Sequence, residues 1–372
     1  MAAIFETSTV GTLVLANRAV RSATWEGGAD NRGHVTDKIL ELYAGLAEGG
    51  IGLIITGFQY VLPNGIGIAY QTGNYSDDLL PGLMRLCETA RTGGARVLAQ
   101  LVHTGSKADP GLFTEEGEIW GPSAVPDPLT GRVPKEMTRQ EITLLVEAYA
   151  AAARRAQRAG FDGVQLHGAH GYGINQFLSA FANRRSDCYG GGTAGRYRFL
   201  GEVLEAIRGT VGNDYPLFIK LSGDDFYPGG LGPEEAIEIG RRLVEDGIAC
   251  IEVSGGSKAS PEGMVPSRTN VRREDDEAYL ANLAARFRER LSIPIVTVGG
   301  IRSPAVAGKV LARGLADYVA FCRPLIREPR LIRRWQEGDL EKARCVSCNG
   351  CYATGLAGLG ISCELERDGN NP

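Results

Sequence analysis

Eight times between residue 18 and about residue 336, a short β-branched or aliphatic run is followed by an amphipathic stretch, and this alternation limits the fold more than any other feature. The strand candidates are Ala19–Ser22, Ile51–Thr56, Ala95–Leu101, Gly163–His167, Leu217–Ser222, Ala249–Val253, Ile295–Val298 and Tyr318–Phe321. Most are almost continuously apolar, as strands covered on both faces should be. Between them Ile39, Leu42, Tyr43 and Leu46 fall at helical spacing, and Thr138 with Glu141 forms a capping box ahead of Ile142, Leu145, Val146 and Tyr149. The pattern predicts an α/β protein of repeated βα units. Eight units with right-handed crossovers close into a (βα)8 TIM barrel, although a doubly wound open sheet gives the same alternation.

A chain of 372 residues suits one large barrel or two average domains. With 43% apolar and 23% charged residues, it has the balance of a soluble globular protein. A formal charge of -4 and a pI near 5.8 provide no broad basic field, which argues against nucleic acid or an anionic membrane and for a small-molecule partner. The N-terminal MAAIFETSTVGTLVL has no basic start before a long apolar core, and no stretch approaches the roughly 20 apolar residues of a membrane span. Cytoplasm is therefore the expected compartment; homo-oligomerisation is left open. Residues 1–336 read as the barrel and 337–372 as a short C-terminal extension. Residues 102–137, rich in Gly and Pro, form a long loop after the third strand, on the side where barrel active sites lie, and suggest a lid or pocket wall.

Chemistry concentrates past the fourth strand, in His167-Gly168-Ala169-His170-Gly171-Tyr172. Of four histidines, His103, His167 and His170 stand just beyond predicted strand ends, the position of catalytic groups in barrels. After strands seven and eight, Gly299-Gly300 and Arg323 offer close backbone approach and a bidentate cation, a pairing suited to phosphate.

Longer ordered segments carry a specific likeness. Gly50-Ile51-Gly52-Leu53-Ile54-Ile55-Thr56, Gln100-Leu101-Val102-His103-Thr104-Gly105, the His167 motif, Asn175-Gln176-Phe177-Leu178-Ser179, Asn183-Arg184-Arg185-Ser186-Asp187 and Arg196-Tyr197-Arg198-Phe199 follow one another in register. In these the chain resembles the old yellow enzyme family of FMN oxidoreductases, from Asn17-Arg18 to about Arg330. The resemblance implies the eight-fold barrel, bound FMN and NAD(P)H as reductant. It places Gln100 at the flavin pyrimidine edge and Lys220 beside the nitrogen that becomes anionic on reduction; many relatives have arginine there. His167 and His170 would bind the carbonyl oxygen of an α,β-unsaturated substrate, and Tyr172 would protonate its α-carbon. Where relatives carry a flavin-tuning threonine or cysteine, ungapped comparison puts Trp25; a slip of one residue puts Thr24 there instead.

Four of the eight cysteines crowd the tail as C-x2-C-x2-C-x11-C: Cys345, Cys348, Cys351 and Cys363. Cys87, Cys188, Cys250 and Cys322 are scattered and read as inert packing residues. Clustered soft thiolates point to a 4Fe–4S cluster ahead of zinc. The segment resembles that of the 2,4-dienoyl-CoA reductase and trimethylamine dehydrogenase branch, which has one more residue between the second and third cysteines. The expected activity is therefore reduction of activated C=C bonds. The alternatives are a flavin/iron–sulfur enzyme exchanging electrons with a partner protein, or oxidising an amine, and a non-catalytic barrel.

Overall fold

The computed structural model describes residues 2–367. Met1 and residues 368–372, the end of the expected extension, lie outside the described residues. Eight parallel strands close into a barrel in sequence order: β1 (Ala19–Arg21), β2 (Leu53–Tyr60), β3 (Arg96–Val102), β4 (Gly163–Gly168), β5 (Leu217–Ser222), β6 (Cys250–Ser254), β7 (Ile295–Val298) and β8 (Tyr318–Phe321). Pairing of Val319 with Ala19 joins β8 to β1 and excludes the open-sheet alternative. Helices shield the outside, among them α1 (Asp37–Glu48), α2 (Leu80–Arg91), α3 (Arg139–Arg158), α4 (Thr193–Val211), α5 (Pro233–Glu245), α6 (Ala281–Arg290) and α7 (Pro304–Ala312). Every residue of β4, β5 and β6 is buried, which is why these strands read as apolar runs.

The capping box of α3 is formed as expected. Thr138 Oγ1 accepts from the Glu141 N–H at 3.2 Å, and the Glu141 carboxylate accepts from the Thr138 N–H at 2.8 Å.

One strand outruns its expected end. β2 continues past Thr56 to Tyr60, with a register shift between Ile55 and Phe58. Gly57 lies in that shift, and its N–H donates to the buried Glu26 carboxylate at 2.7 Å and to the Tyr43 hydroxyl at 3.0 Å. The bulge is satisfied by side chains instead of a strand partner, so the strand resumes and carries Phe58 to the barrel mouth.

A hairpin of Ser8–Val10 and Leu13–Leu15 seals the opposite end. Its Val10, Leu13 and Leu15 pack with Val20, Leu53, Leu98, Phe218 and Val296 from the N-terminal halves of the strands. With that end filled, the open face lies at the strands' C-terminal ends, as in other barrels.

Candidate active site

At the C-terminal end of β4 the chain turns sharply, with His170 and Gly171 both in the left-handed region at φ 63° and 73°. A non-glycine residue held there costs on the order of 1 kcal/mol and persists where surrounding structure over-determines it. The turn folds the three functional rings onto one another. The His167 and His170 centroids are 5.1 Å apart at 81°, and those of His167 and Tyr172 are 4.9 Å apart at 90°. Phe58 tilts against Tyr172 at 5.7 Å.

Hydrogen bonds fix the imidazoles. The Ala169 N–H donates to His167 Nδ1 at 3.3 Å, which leaves Nε2 of the neutral ring as its N–H donor. His170 Nε2 lies 2.7 Å from Ser254 Oγ. Burial, followed by the charges of His170 and Lys220, holds His167 well below the usual imidazole range. Burial, followed by Lys220 and Lys107, pushes His170 down to about 3. Tyr172 is pushed up to about 12, mainly by burial and further by Tyr352. At neutral pH the site therefore presents two neutral imidazoles and a protonated phenol.

These rings open on a cavity of about 1460 Å³, whose lining includes Thr24, Trp25, Gln100, Lys220, Gly299, Gly300 and Arg323. Every barrel residue singled out from the sequence for cofactor or substrate thus faces one space. On its floor Lys220 Nζ is 3.0 Å from Glu252 Oε1 and donates to Ser22 Oγ at 2.7 Å. Gln100 Nε2 donates to Gln165 Oε1 at 2.6 Å, while Gln100 Oε1 is buried without a partner.

On the far side Gly299 and Gly300 have φ of 133° and 70°, and a Cβ at either would lie 2.8 Å from the Tyr279 ring. Only glycine keeps the backbone this close to the wall. Arg323 Nη1 donates to the Arg268 carbonyl at 2.9 Å and to Asn349 Oδ1 at 2.6 Å.

Thr24 and Trp25 both reach the cavity. Thr24 Oγ1 accepts from Arg21 Nη1 at 2.7 Å, and the Trp25 indole stacks on Tyr352 at 6.4 Å and 13°. Tyr352 belongs to the extension, and with Ser347, Asn349 and Leu356 it forms part of the cavity wall. The Ile361 N–H donates to the Glu26 carbonyl at 2.7 Å and the Gly360 N–H to the Gly27 carbonyl at 3.0 Å. The extension is thus a wall of the site, a role that its sequence did not signal. Cys345 and Cys351 are buried in it, Cys348 is exposed and Cys363 is partly buried. All three others act electrostatically on the Cys351 thiol, which burial first of all pushes up to about 12.

Two expectations change. His103, at its strand end, lies off the cavity lining; its ring stacks on Trp120, accepts from the Gly105 N–H at 3.1 Å and is pushed down to about 4 by burial. Among the scattered cysteines Cys87 and Cys250 are buried, but Cys188 is exposed and Cys322 lines the cavity. The long loop after β3 contributes Lys107, Asp109, Thr130 and Arg132 to the cavity wall, in line with the pocket-wall alternative expected for it.

Residues 3–342 match the NADH:flavin oxidoreductase / NADH oxidase family. The chain belongs to that family. An NADH oxidase from Thermoanaerobacter brockii is 38% identical over 352 residues, spanning 94% of this chain and 53% of the relative. The chain thus spans about half the length of that relative. A 2-naphthoyl-CoA reductase bound to 2-naphthoyl-CoA superposes with a TM-score of 0.90 at 30% identity, over 97% of this chain and 56% of the other. An old yellow enzyme homologue from Zymomonas mobilis superposes with a TM-score of 0.78 at 25% identity, over 100% of this chain and 99% of the other. This NADH:flavin oxidoreductase family member is therefore similar both to longer proteins, about half of whose length it spans, and to one of about its own extent.

Proposed function

We propose that this protein is an FMN-dependent oxidoreductase that reduces a C=C bond conjugated to a carbonyl, with NAD(P)H as reductant. The observation that carries the reading is the convergence of His167, His170 and Tyr172 over a cavity floored by Gln100 and Lys220. The residues fit the cofactor. The unpartnered Gln100 Oε1 suits an imide N–H, Lys220 suits a ring that gains negative charge, and Arg323 beside Gly299 and Gly300 suits a single phosphate. Bound and reduced, FMN would supply the hydride to the substrate's β-carbon.

The protein's own groups do the rest. His167 Nε2 and a ring N–H of His170 donate to the carbonyl oxygen, where negative charge grows as the alkene is reduced. Because both rings are neutral, His167 buried and His170 half-buried, their N–H dipoles act in a site of reduced dielectric and need little reorganisation. Tyr172, which keeps its proton up to about pH 12, gives that proton to the α-carbon and recovers one from water. Phe58 and Trp25 supply the apolar walls that keep the alkene in place and water out. Anaerobic incubation of the flavin-loaded protein with 2-cyclohexenone and NADH or NADPH tests the reading: cyclohexanone should appear with nicotinamide oxidation, and a flavin-loaded protein that reduces no enone contradicts it.

The extension favours a second reading, in which electrons also pass between this site and a partner protein. Cys345, Cys348, Cys351 and Cys363 would hold a 4Fe–4S cluster through thiolates. Among the described residues no three potential ligands converge tightly enough for one ion, whereas a cubane, with its irons at separate corners, takes thiolates set further apart. Tyr352, next to Cys351 and stacked on Trp25, joins that segment to the cavity. Iron and labile sulfide in the isolated protein support this reading; stoichiometric zinc contradicts it.

A further inference from the structure

Beneath the cavity floor lies a chain of buried side chains that the proposed reaction does not by itself require. Glu252, in the middle of β6, is buried in the barrel interior between β5 and β7. Its Oε1 faces Lys220 Nζ at 3.0 Å and accepts from Ser22 Oγ, and its Oε2 accepts from Gln165 Nε2 at 2.9 Å. Gln165 Oε1 in turn accepts from Gln100 Nε2 at 2.6 Å. Gln100 sits beside Gln165 in the β3–β4 register, and Lys220 beside Glu252 in the β5–β6 register, so neighbouring strands hold the chain across the barrel.

The sense of this chain follows from one fact. A carboxylate accepts hydrogen bonds and cannot donate them, whereas a primary amide can present either end. Facing Glu252, Gln165 must therefore present its N–H₂ and send its oxygen toward Gln100. Gln100 must then donate to Gln165 and turn its own oxygen away. That oxygen is buried and without a partner, on a residue that lines the cavity. The same carboxylate lies against Lys220, so the field of that cation at the cavity is partly cancelled from below.

We propose that Glu252 is a positioning residue that sets the polarity of the cofactor floor: through Gln165 it compels Gln100 to offer an acceptor, and through its ion pair it moderates Lys220. The group met by Gln100 must then carry an N–H, as the imide edge of a flavin does. The proposal rests on the FMN reading above, and its test separates the two.

FMN and N3-methyl-FMN, which lacks the imide hydrogen, are titrated into the wild-type protein and into the Glu252→Gln and Gln165→Met variants, and the flavin midpoint potential is measured in each. Glu252→Gln removes the negative charge below Lys220, so reduced flavin should bind at least about ten-fold better relative to oxidised flavin, a rise of about 30 mV for a two-electron couple. Gln165→Met keeps the ion pair but frees Gln100 to turn, so the preference for FMN over its N3-methyl analogue should fall about ten-fold with the potential unchanged. A folded Glu252→Gln protein with the wild-type potential, or Gln165→Met with the wild-type preference, overturns the proposal. If Glu252→Gln does not fold, the Gln165→Met preference decides alone. A wild-type protein that takes up no FMN overturns the cofactor reading, and this one with it.

Discussion

His170 pairs a left-handed backbone with a half-buried, desolvated ring, and both features are costs that the surrounding fold must offset. Its folded-state pKa, pushed down to about 3, lies below the ordinary imidazole value, so the unfolded chain takes up the proton first. The stability that the neutral ring permits is full above about pH 6.5 and is lost as the pH falls toward 3, by about 1.4 kcal/mol per pH unit across that window. Thermal denaturation followed from pH 4 to pH 8 should show the midpoint rising with pH, and His170→Asn should flatten that slope; an unchanged slope would show that other groups, such as His103, carry it. Arg323→Ala should lower FMN occupancy at least about ten-fold, through loss of a charge-assisted phosphate contact, and equilibrium dialysis reads it directly. His167, His170 and Tyr172 stood out in the sequence as polar groups just past an apolar strand run, whereas Gln100 and Lys220 were singled out through the family resemblance; all five reach the cavity. Glu252 carried the same signal, an acid inside Ala249–Val253, but its importance depends on Gln165 and Lys220 from other strands. Ser254 and Tyr352 had no signal of their own; their roles exist only once the turn after β4 and the extension are in place.

Among the elements, strand ends were read to within a residue or two except at β2. There the expected strand stopped at Thr56, and the buried Glu26 that lets it resume beyond Gly57 lies in a different segment. Such a long-range substitute for a ladder hydrogen bond has no local pattern. The same segment docks the extension. A Cβ on Gly27 would lie 2.5 Å from the Gly355 Cα, and one on Gly355 would lie 2.7 Å from the Trp25 ring, so two backbones meet with no room between them. Gly355→Val should therefore loosen the extension at a cost of about 1–3 kcal/mol. Limited proteolysis should then cut after the barrel at a rate well above wild type, while circular dichroism stays barrel-like. Equal resistance would mean that the contact is not what holds the segment.

For the whole molecule, eight βα units narrowed the fold to a barrel or an open sheet and the family resemblance pointed to the barrel; the residues expected to hold phosphate and substrate all lie at its mouth. What the linear pattern concealed was that residues after 336 return to line the same cavity. The thiols they bring should give about four irons per chain in anaerobically purified protein, and Cys348→Ser should abolish that iron with FMN retained. Retention of all the iron would detach the cysteines from the cluster reading. The central claim is that His167 and His170 serve the substrate's carbonyl oxygen and not flavin reduction. Stopped-flow mixing of the His167→Ala/His170→Ala double variant measures the two half-reactions separately. Flavin reduction by NAD(P)H should stay within a few-fold of wild type, while reoxidation by 2-cyclohexenone should slow by roughly a hundred-fold or more, the usual cost of a lost oxyanion donor; equal slowing of both would contradict the account.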